Sequence, residues 1–459
     1  CGRGNNGGDG LVSARWLLNW GYHPCVWILG EETALSSDAR ANALLFLRLG
    51  GEINYITDSS QLPSLEPFPI IVDAILGTGF SGELQGLYRD TVSHIRRSGK
   101  PVVAVDIPTG IDADTGAIMG EAVEAQECVT MGLFKIGQYL PPGSELVKKL
   151  SLVDIGVTEN IVRQVGIKQV LVEQTDVAQA LPHRPKSIHK GDAGSVFILA
   201  GSPGLTGAAA LAGESALRCG AGLVVLGVPY SVNTILEEKL TEVITEPLPE
   251  TPESTISLKA WDKVEKRVKW ADAVAIGPGL GRHPETGELI IKIINEVGEK
   301  PLIIDADALN LLSERKQWLY RLPKNTILTP HPGELARLTS LTIGEILKDR
   351  VKVARQWASE WGVILHLKGA PSLTIAPTGE VFINSTGNQG MATGGSGDVL
   401  TGVIAALCAA GMNPLKATWV GAYIHGRAGD LAARQVGFWG LAAKDLILQL
   451  PQVMIEVTM

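Results

Sequence analysis

Gly394, Gly395, Ser396, Gly397 and Asp398 stand directly before a strongly helical, apolar stretch. Glycine amides can close on a developing oxyanion, and the positive end of a helix dipole adds to them. A carboxylate in the first helical turn could take a proton from an attacking hydroxyl. A plain N-cap aspartate would explain Asp398 alone. It would not explain the run Asn388, Gln389, Gly390, Met391, Ala392 and Thr393 that leads into the glycines. The pattern GxxxxGK[ST] is absent, which excludes a Walker-type phosphate loop.

A second group of such residues opens the chain. Gly2, Gly4 and Gly7 fit GxGxxG, a weak signal by itself. The stronger expectation is a glycine-rich loop feeding a helix N-terminus, whose free amides can hold a phosphate, with side-chain oxygens from Asn5, Asn6 and Asp9 around Gly7 and Gly8. A tight turn would account for the glycines but not for the two asparagines and the aspartate. Two later loops follow strand-like runs. Asp73 leads into Gly77, Thr78, Gly79, Phe80, Ser81, Gly82 and Glu83, and Asp106 leads into Ile107-Pro108-Thr109-Gly110-Ile111-Asp112. Carboxylates at the C-terminal ends of parallel strands lie where open α/β sheets bind ligands, although a lone aspartate there often only caps a helix. Asn6, Asp73 and Thr109 are hard oxygen donors, better suited to a group 1 or 2 cation than to zinc.

The elements that must position these groups alternate along the whole chain, which predicts parallel α/β architecture. In the first third, strands are expected at 25–29, 53–56, 70–76, 102–106, 128–132 and 151–156, with helices at 10–20 and 38–49. Beyond 165 the periodic signal fades, apart from a short apolar run at 170–172. The second part restarts with a strand at 195–200 and a helix at 208–219, then strands at 223–228, 273–277, 302–305, 326–329 and 363–367. Residues 372–375 and 381–383 flank Pro377-Thr378-Gly379 and predict a hairpin, and helices at 397–410, 414–434 and 441–450 close the chain. The expected organisation is a domain at 1–165, a linker at 166–186 and a second domain at 187–459.

Composition excludes several classes. Of 459 residues, 45% are hydrophobic and 19% charged, so the chain is neither disordered nor fibrous. The net charge of −8, with no basic stripe, disfavours nucleic-acid binding. The five cysteines (Cys1, Cys25, Cys128, Cys219, Cys408) include no CxxC, which argues against a disulfide framework or a zinc site. The most apolar stretch, 399–412, is too short for a bilayer, which needs about 20 residues. No signal peptide precedes the first motif, and the chain reads as soluble and cytoplasmic.

The opening motif, the Asp73 loop and the Asp106 loop resemble the epimerase domain of bifunctional NAD(P)H-hydrate repair enzymes. The resemblance implies a Rossmann-like three-layer domain, incomplete at its start here, that equilibrates the R and S forms of NAD(P)H hydrated at C6. It would place Asn5, Asn6, Gly7, Gly8, Asp9, Gly77 to Glu83 and Asp106 at the hydrated nucleotide, with Asp106 as acid/base residue, and a potassium ion on Asn6, Asp73 and Thr109. The GSGD loop resembles the ribokinase-like superfamily. His189-Lys-Gly-Asp-Ala-Gly194, Gly277-Pro-Gly-Leu-Gly281, Asp305-Ala-Asp-Ala-Leu-Asn310, Thr329-Pro-His-Pro-Gly-Glu334 and Lys368-Gly-Ala-Pro-Ser372 narrow the match to the ADP- or ATP-dependent NAD(P)H-hydrate dehydratase.

That second resemblance implies a ribokinase-like α/β domain with Ala208, Gly281, His331 and Asp398 at the substrate and Asp398 catalytic. Lys368, Gly369, Ala370, Pro371, Ser372 and the run from Asn388 to Gly397 would hold ADP or ATP with magnesium. Asp305 and Asp307 could assist magnesium or simply cap a helix. Family members assemble, so a homo-oligomer is implied, with no membrane or nucleic-acid partner. The alternatives are a ribokinase-like kinase acting on a vitamin-precursor alcohol and a nucleotide-binding regulatory protein without catalysis. The kinase explains GSGD but neither the first domain nor the His-Pro-Gly-Glu motif.

Overall fold

Short β-branched runs flanked by amphipathic stretches fold into two units, Cys1–Ile167 and Lys168–Met459, in a computed structural model that describes residues 1–458. In the first unit, β1 (Val26–Leu29) pairs in parallel with β2 (Ile53–Ile56). A four-stranded parallel sheet runs in the order β3 (Ile71–Asp73), β4 (Val102–Val105), β5 (Glu127–Met131) and β6 (Leu150–Val153). Cys1 and Gly2 are bonded to both sheets: Leu29 N donates to the Cys1 carbonyl (3.0 Å) and Gly2 N to the Ala74 carbonyl (2.8 Å). The helices include α1 (Asn5–Asn19), α2 (Ser37–Arg48) and α3 (Gly86–Ser98).

One expectation about this unit needs correcting. The Asn5 to Asp9 segment is the first turn of α1 itself, not a loop that precedes it. Its glycines serve close packing. A Cβ on Gly7 would lie 1.9 Å from the Gly2 carbonyl oxygen, and one on Gly10 would lie 2.5 Å from the Ala74 Cβ.

The second unit holds a ten-stranded sheet made of β7 (Gln169–Val172), β8 (Ser195–Leu199), β9 (Leu223–Pro229), β10 (Ile244–Leu248), β11 (Ala273–Ile276), β12 (Leu302–Ile304), β13 (Thr326–Leu328), β14 (Ile364–Leu367), β15 (Leu373–Ile375) and β16 (Val381–Asn384). Their order is β10-β9-β8-β11-β12-β13-β14-β15-β16-β7. Only β15 runs antiparallel to its neighbours, and with β16 it forms the expected hairpin. The central strands are buried on both faces, as parallel sheets covered by helices must be. Against them packs a core built by the helices Thr206–Arg218, Ser396–Ala409, Pro414–Gly440 and Ala443–Thr458.

The stretch 166–186, expected as a linker, carries structure. β7 pairs in parallel with β16, and the following helix Gln174–Ala180 buries Val177 in the same core as Val172. The apolar run at 170–172 is an edge strand, too short for its periodicity to stand out alone. Among the described residues no helix is long and apolar enough to cross a membrane.

Candidate functional sites

In the second unit the loop Asn388–Gly397 is fastened from below by one helix, Pro414–Gly440. Asp430 accepts from Gly387 N (3.1 Å) and Asn388 Nδ2 (2.9 Å). His425 is buried and its Nε2 lies 2.9 Å from the Ser396 carbonyl oxygen. The Phe438 backbone presses on Gly390, where a Cβ would lie 2.8 Å from its carbonyl oxygen. Gly395, with φ +92°, turns the chain into the Ser396–Ala409 helix, and no side chain caps its free amides. Those amides form an anion-accepting end.

Asp398 stands in the first turn of that helix. Burial, reinforced by the nearby Asp305 carboxylate, raises its carboxyl to about 7. Lys368, at the end of β14, donates to Asp305 Oδ1 (2.5 Å), and Thr401 Oγ1 donates to Asp305 Oδ2 (2.7 Å). Asp305 holds the N-cap position of its helix, but its side chain makes no capping bond. Asp307 accepts from Gly281 N (3.0 Å) and Arg282 Nε (3.1 Å), which fixes the Gly277–Gly281 turn. Ala208 borders that turn, since a Cβ on Gly279 would lie 3.1 Å from its own.

His331 heads the helix Pro332–Thr339. Its Nδ1 accepts from Gly333 N (3.0 Å), while Glu334 accepts from His331 N (2.8 Å). Burial and the Lys368 and Arg337 charges lower its pKa, and its Nε2 lies 3.6 Å from Glu334 Oε1. Buried Arg350 donates to the Pro371 carbonyl (2.7 Å) and shapes the segment Lys368 to Ser372.

In the first unit, the ends of β3 and β4 bring the predicted residues together with α1. Buried Asp73 accepts from Thr109 N (2.8 Å) and Thr109 Oγ1 (2.7 Å), and Asn6 Nδ2 donates to the Val105 carbonyl (2.8 Å). Asn6 Oδ1 is buried without a hydrogen-bond partner, and Gly77 approaches the same side chain. A buried amide oxygen with no donor is uncommon and is, among the described residues, the one unsatisfied acceptor of this cluster.

Asp106 has φ +69°, an uncommon conformation for a non-glycine residue. Lys135 forms an ion pair with its carboxylate and donates to Thr130 Oγ1 (2.8 Å) and the Met131 carbonyl (3.0 Å). Gln138 Nε2 holds the Asp106 carbonyl (2.7 Å). Burial and the Asp106 charge raise the Asp9 carboxyl. Sequence reasoning missed Lys135, Gln138, Thr401, His425, Asp430 and Arg350. The usable signal was weak: for Lys135, a lysine just past a strand end among apolar residues.

Residues 196–452 match the family described as NAD(P)H-hydrate dehydratase, and residues 1–137 match the YjeF-related protein N-terminus. The bifunctional NAD(P)H-hydrate repair enzyme Nnr of Moorella thermoacetica is 43% identical over 458 residues, covering 99% of this chain and 86% of that protein. The chain belongs to the bifunctional NAD(P)H-hydrate repair enzyme family. The Escherichia coli member is 35% identical over 455 residues, 99% of this chain and 84% of its own length. Among solved structures, the ADP/ATP-dependent NAD(P)H-hydrate dehydratase of Bacillus subtilis, co-crystallised with ATP and Mg2+, is 31% identical. It aligns with a TM-score of 0.54 and covers 62% of this chain and 98% of its own. Within this family the second unit is thus the ribokinase-like dehydratase half and the first the epimerase half.

Proposed function

We propose that Asp398 is the base of an ADP-dependent dehydration that returns S-NAD(P)H hydrate to NAD(P)H, while Asp106 serves the epimerisation that feeds it. A C6 hydroxyl is a poor leaving group and a phosphate a good one. Asp398 takes the hydroxyl proton as its oxygen attacks the β-phosphorus of ADP, and AMP departs. The phosphate ester then eliminates, its C–O bond breaking as a proton leaves C5, and the dihydropyridine and free phosphate result. The amides of Gly395 to Gly397 receive the charge on the transferred group. The run Asn388 to Gly397 and Lys368 to Ser372 hold the nucleotide, and Ala208, Gly281 and His331 border the nicotinamide side. Magnesium supplies charge neutralisation on the nucleotide phosphates.

In the first unit, Asn5 to Asp9, Gly77 to Glu83 and Asp106 line the hydrate, and Asn6, Asp73 and Thr109 hold potassium. Held there, potassium would supply positive charge toward an anionic ligand. The observation that carries the reading is Asp398, half-buried at an uncapped helix N-terminus with its carboxyl raised to about 7. A base poised near the working pH is what proton transfer favours. Replacing Asp398→Asn abolishes ADP-dependent dehydration while nucleotide binding persists. A near-normal rate in that variant overturns the assignment.

A further inference from the structure

Lys368 occupies a place that electrostatics alone would not choose. A Cβ on Gly397 would lie 3.1 Å from its Nζ, so the ammonium sits against the first turn of the Ser396–Ala409 helix, where the dipole is positive. Its side chain is only 19% exposed, and the Asp305 carboxylate that holds it is 1% exposed. Thr401, one turn into the same helix, closes the arrangement on the far oxygen of Asp305. Two positive ends thus meet, balanced by a single buried carboxylate whose two oxygens are both engaged. Such a pairing suits an incoming anion.

We propose that Asp305 and Thr401 are positioning residues for the dehydration step, holding the Lys368 ammonium where it faces both the transferring phosphoryl group and the Asp398 base. The inference rests on Asp398 being that base. It assigns Lys368 to the reacting phosphate rather than to the adenosine end of the nucleotide. Asp305 and Asp307 from the start of the Ala306–Ser313 helix, Lys368 from the end of β14 and Glu334 from the Pro332–Thr339 helix act on Asp398 through their charges. Of these, Lys368 lowers the Asp398 carboxyl and the three carboxylates raise it.

The signs give a test that a merely structural role would not satisfy. The rate kcat for S-NADH hydrate with ADP and magnesium would be followed against pH in the full chain. Asp305→Asn removes a negative neighbour and frees the ammonium, so the acid limb moves to lower pH, by about one unit, while kcat falls about tenfold or more. Lys368→Met moves the same limb to higher pH and lowers kcat further. Thr401→Val lowers kcat with little change in KM for ADP, and Thr401→Ser recovers most of that loss. Limbs that stay put, or move in the same direction in both charge variants, overturn the proposal, as does a Thr401→Val enzyme of unchanged kcat. If Asp305→Asn fails to fold, Lys368→Met and the Thr401 pair decide alone. An active Asp398→Asn enzyme in the same assay would sink the underlying base assignment instead, a distinguishable result.

Discussion

Lys135 has no counterpart in any motif of the sequence, yet it holds the Asp106 carboxylate directly. Its other partners, Thr130 and the Met131 carbonyl, lie at the end of β5, so the ammonium is aimed by a strand terminus and not by a flexible loop. Lys135→Met is expected to slow interconversion of R and S hydrates by about 100-fold, the lower end of the usual scale for acid/base chemistry. Dehydration of pure S hydrate in the same variant stays near wild type, because the dehydration cluster belongs to the other unit. Chiral chromatography of each hydrate with time would show both effects. Asp305 teaches the same lesson. Its type and position left capping and magnesium equally open, whereas its carboxylate takes up Lys368 and Thr401, 63 and 96 residues away.

At the scale of elements, what sequence reveals depends on how locally an element is specified. β8 and β11 are continuous apolar runs and are legible to within a residue or two. β10 reads poorly because Glu246 and Pro247 interrupt it, which an edge strand can tolerate. Helix α3 was hidden by its charged surface, with only Thr91, Val92 and Ile95 buried. The start of α1 was misplaced because asparagines and glycines are poor helix formers. Tertiary packing overrides them, since Gly7 and Gly10 are where neighbouring backbone must come close.

The anion-loop helix depends on the same device. A Cβ on Gly402 would lie 2.1 Å from both the Ala212 carbonyl oxygen and Ser215 Oγ on the helix Thr206–Arg218. Gly402→Ala gains up to about 1 kcal/mol of helix propensity. Displacing a packed backbone costs about 1–3 kcal/mol, so the net effect is loss of stability. Urea unfolding that shows Gly402→Ala as stable as wild type would contradict this packing.

The molecule as a whole divides at Ile167 and Lys168, about twenty residues before the sequence expectation of a second domain starting at 187. The difference has a measurable consequence. A fragment of 168–459 keeps β7 against β16 and keeps Val172 and Val177 in the core. One that begins at 187 loses both and leaves β16 with an open edge. The longer fragment is expected to melt several degrees higher, as removal of two buried valines costs on the order of 3–6 kcal/mol. Equal melting temperatures for the two fragments would show that the edge strand contributes nothing. Fold class and most strand positions were legible because short apolar runs are specified locally. The groups that aim the candidate site residues were not legible, because they arrive from distant parts of the chain.

The most direct test follows recovery of near-ultraviolet dihydronicotinamide absorbance from a mixture of R- and S-NADH hydrate. The full chain would be supplied with ADP, magnesium and potassium. The account predicts complete recovery, with Asp398→Asn giving none. Absence of recovery with either ADP or ATP would contradict the dehydratase assignment, and recovery that stops at the S fraction would contradict the epimerase half.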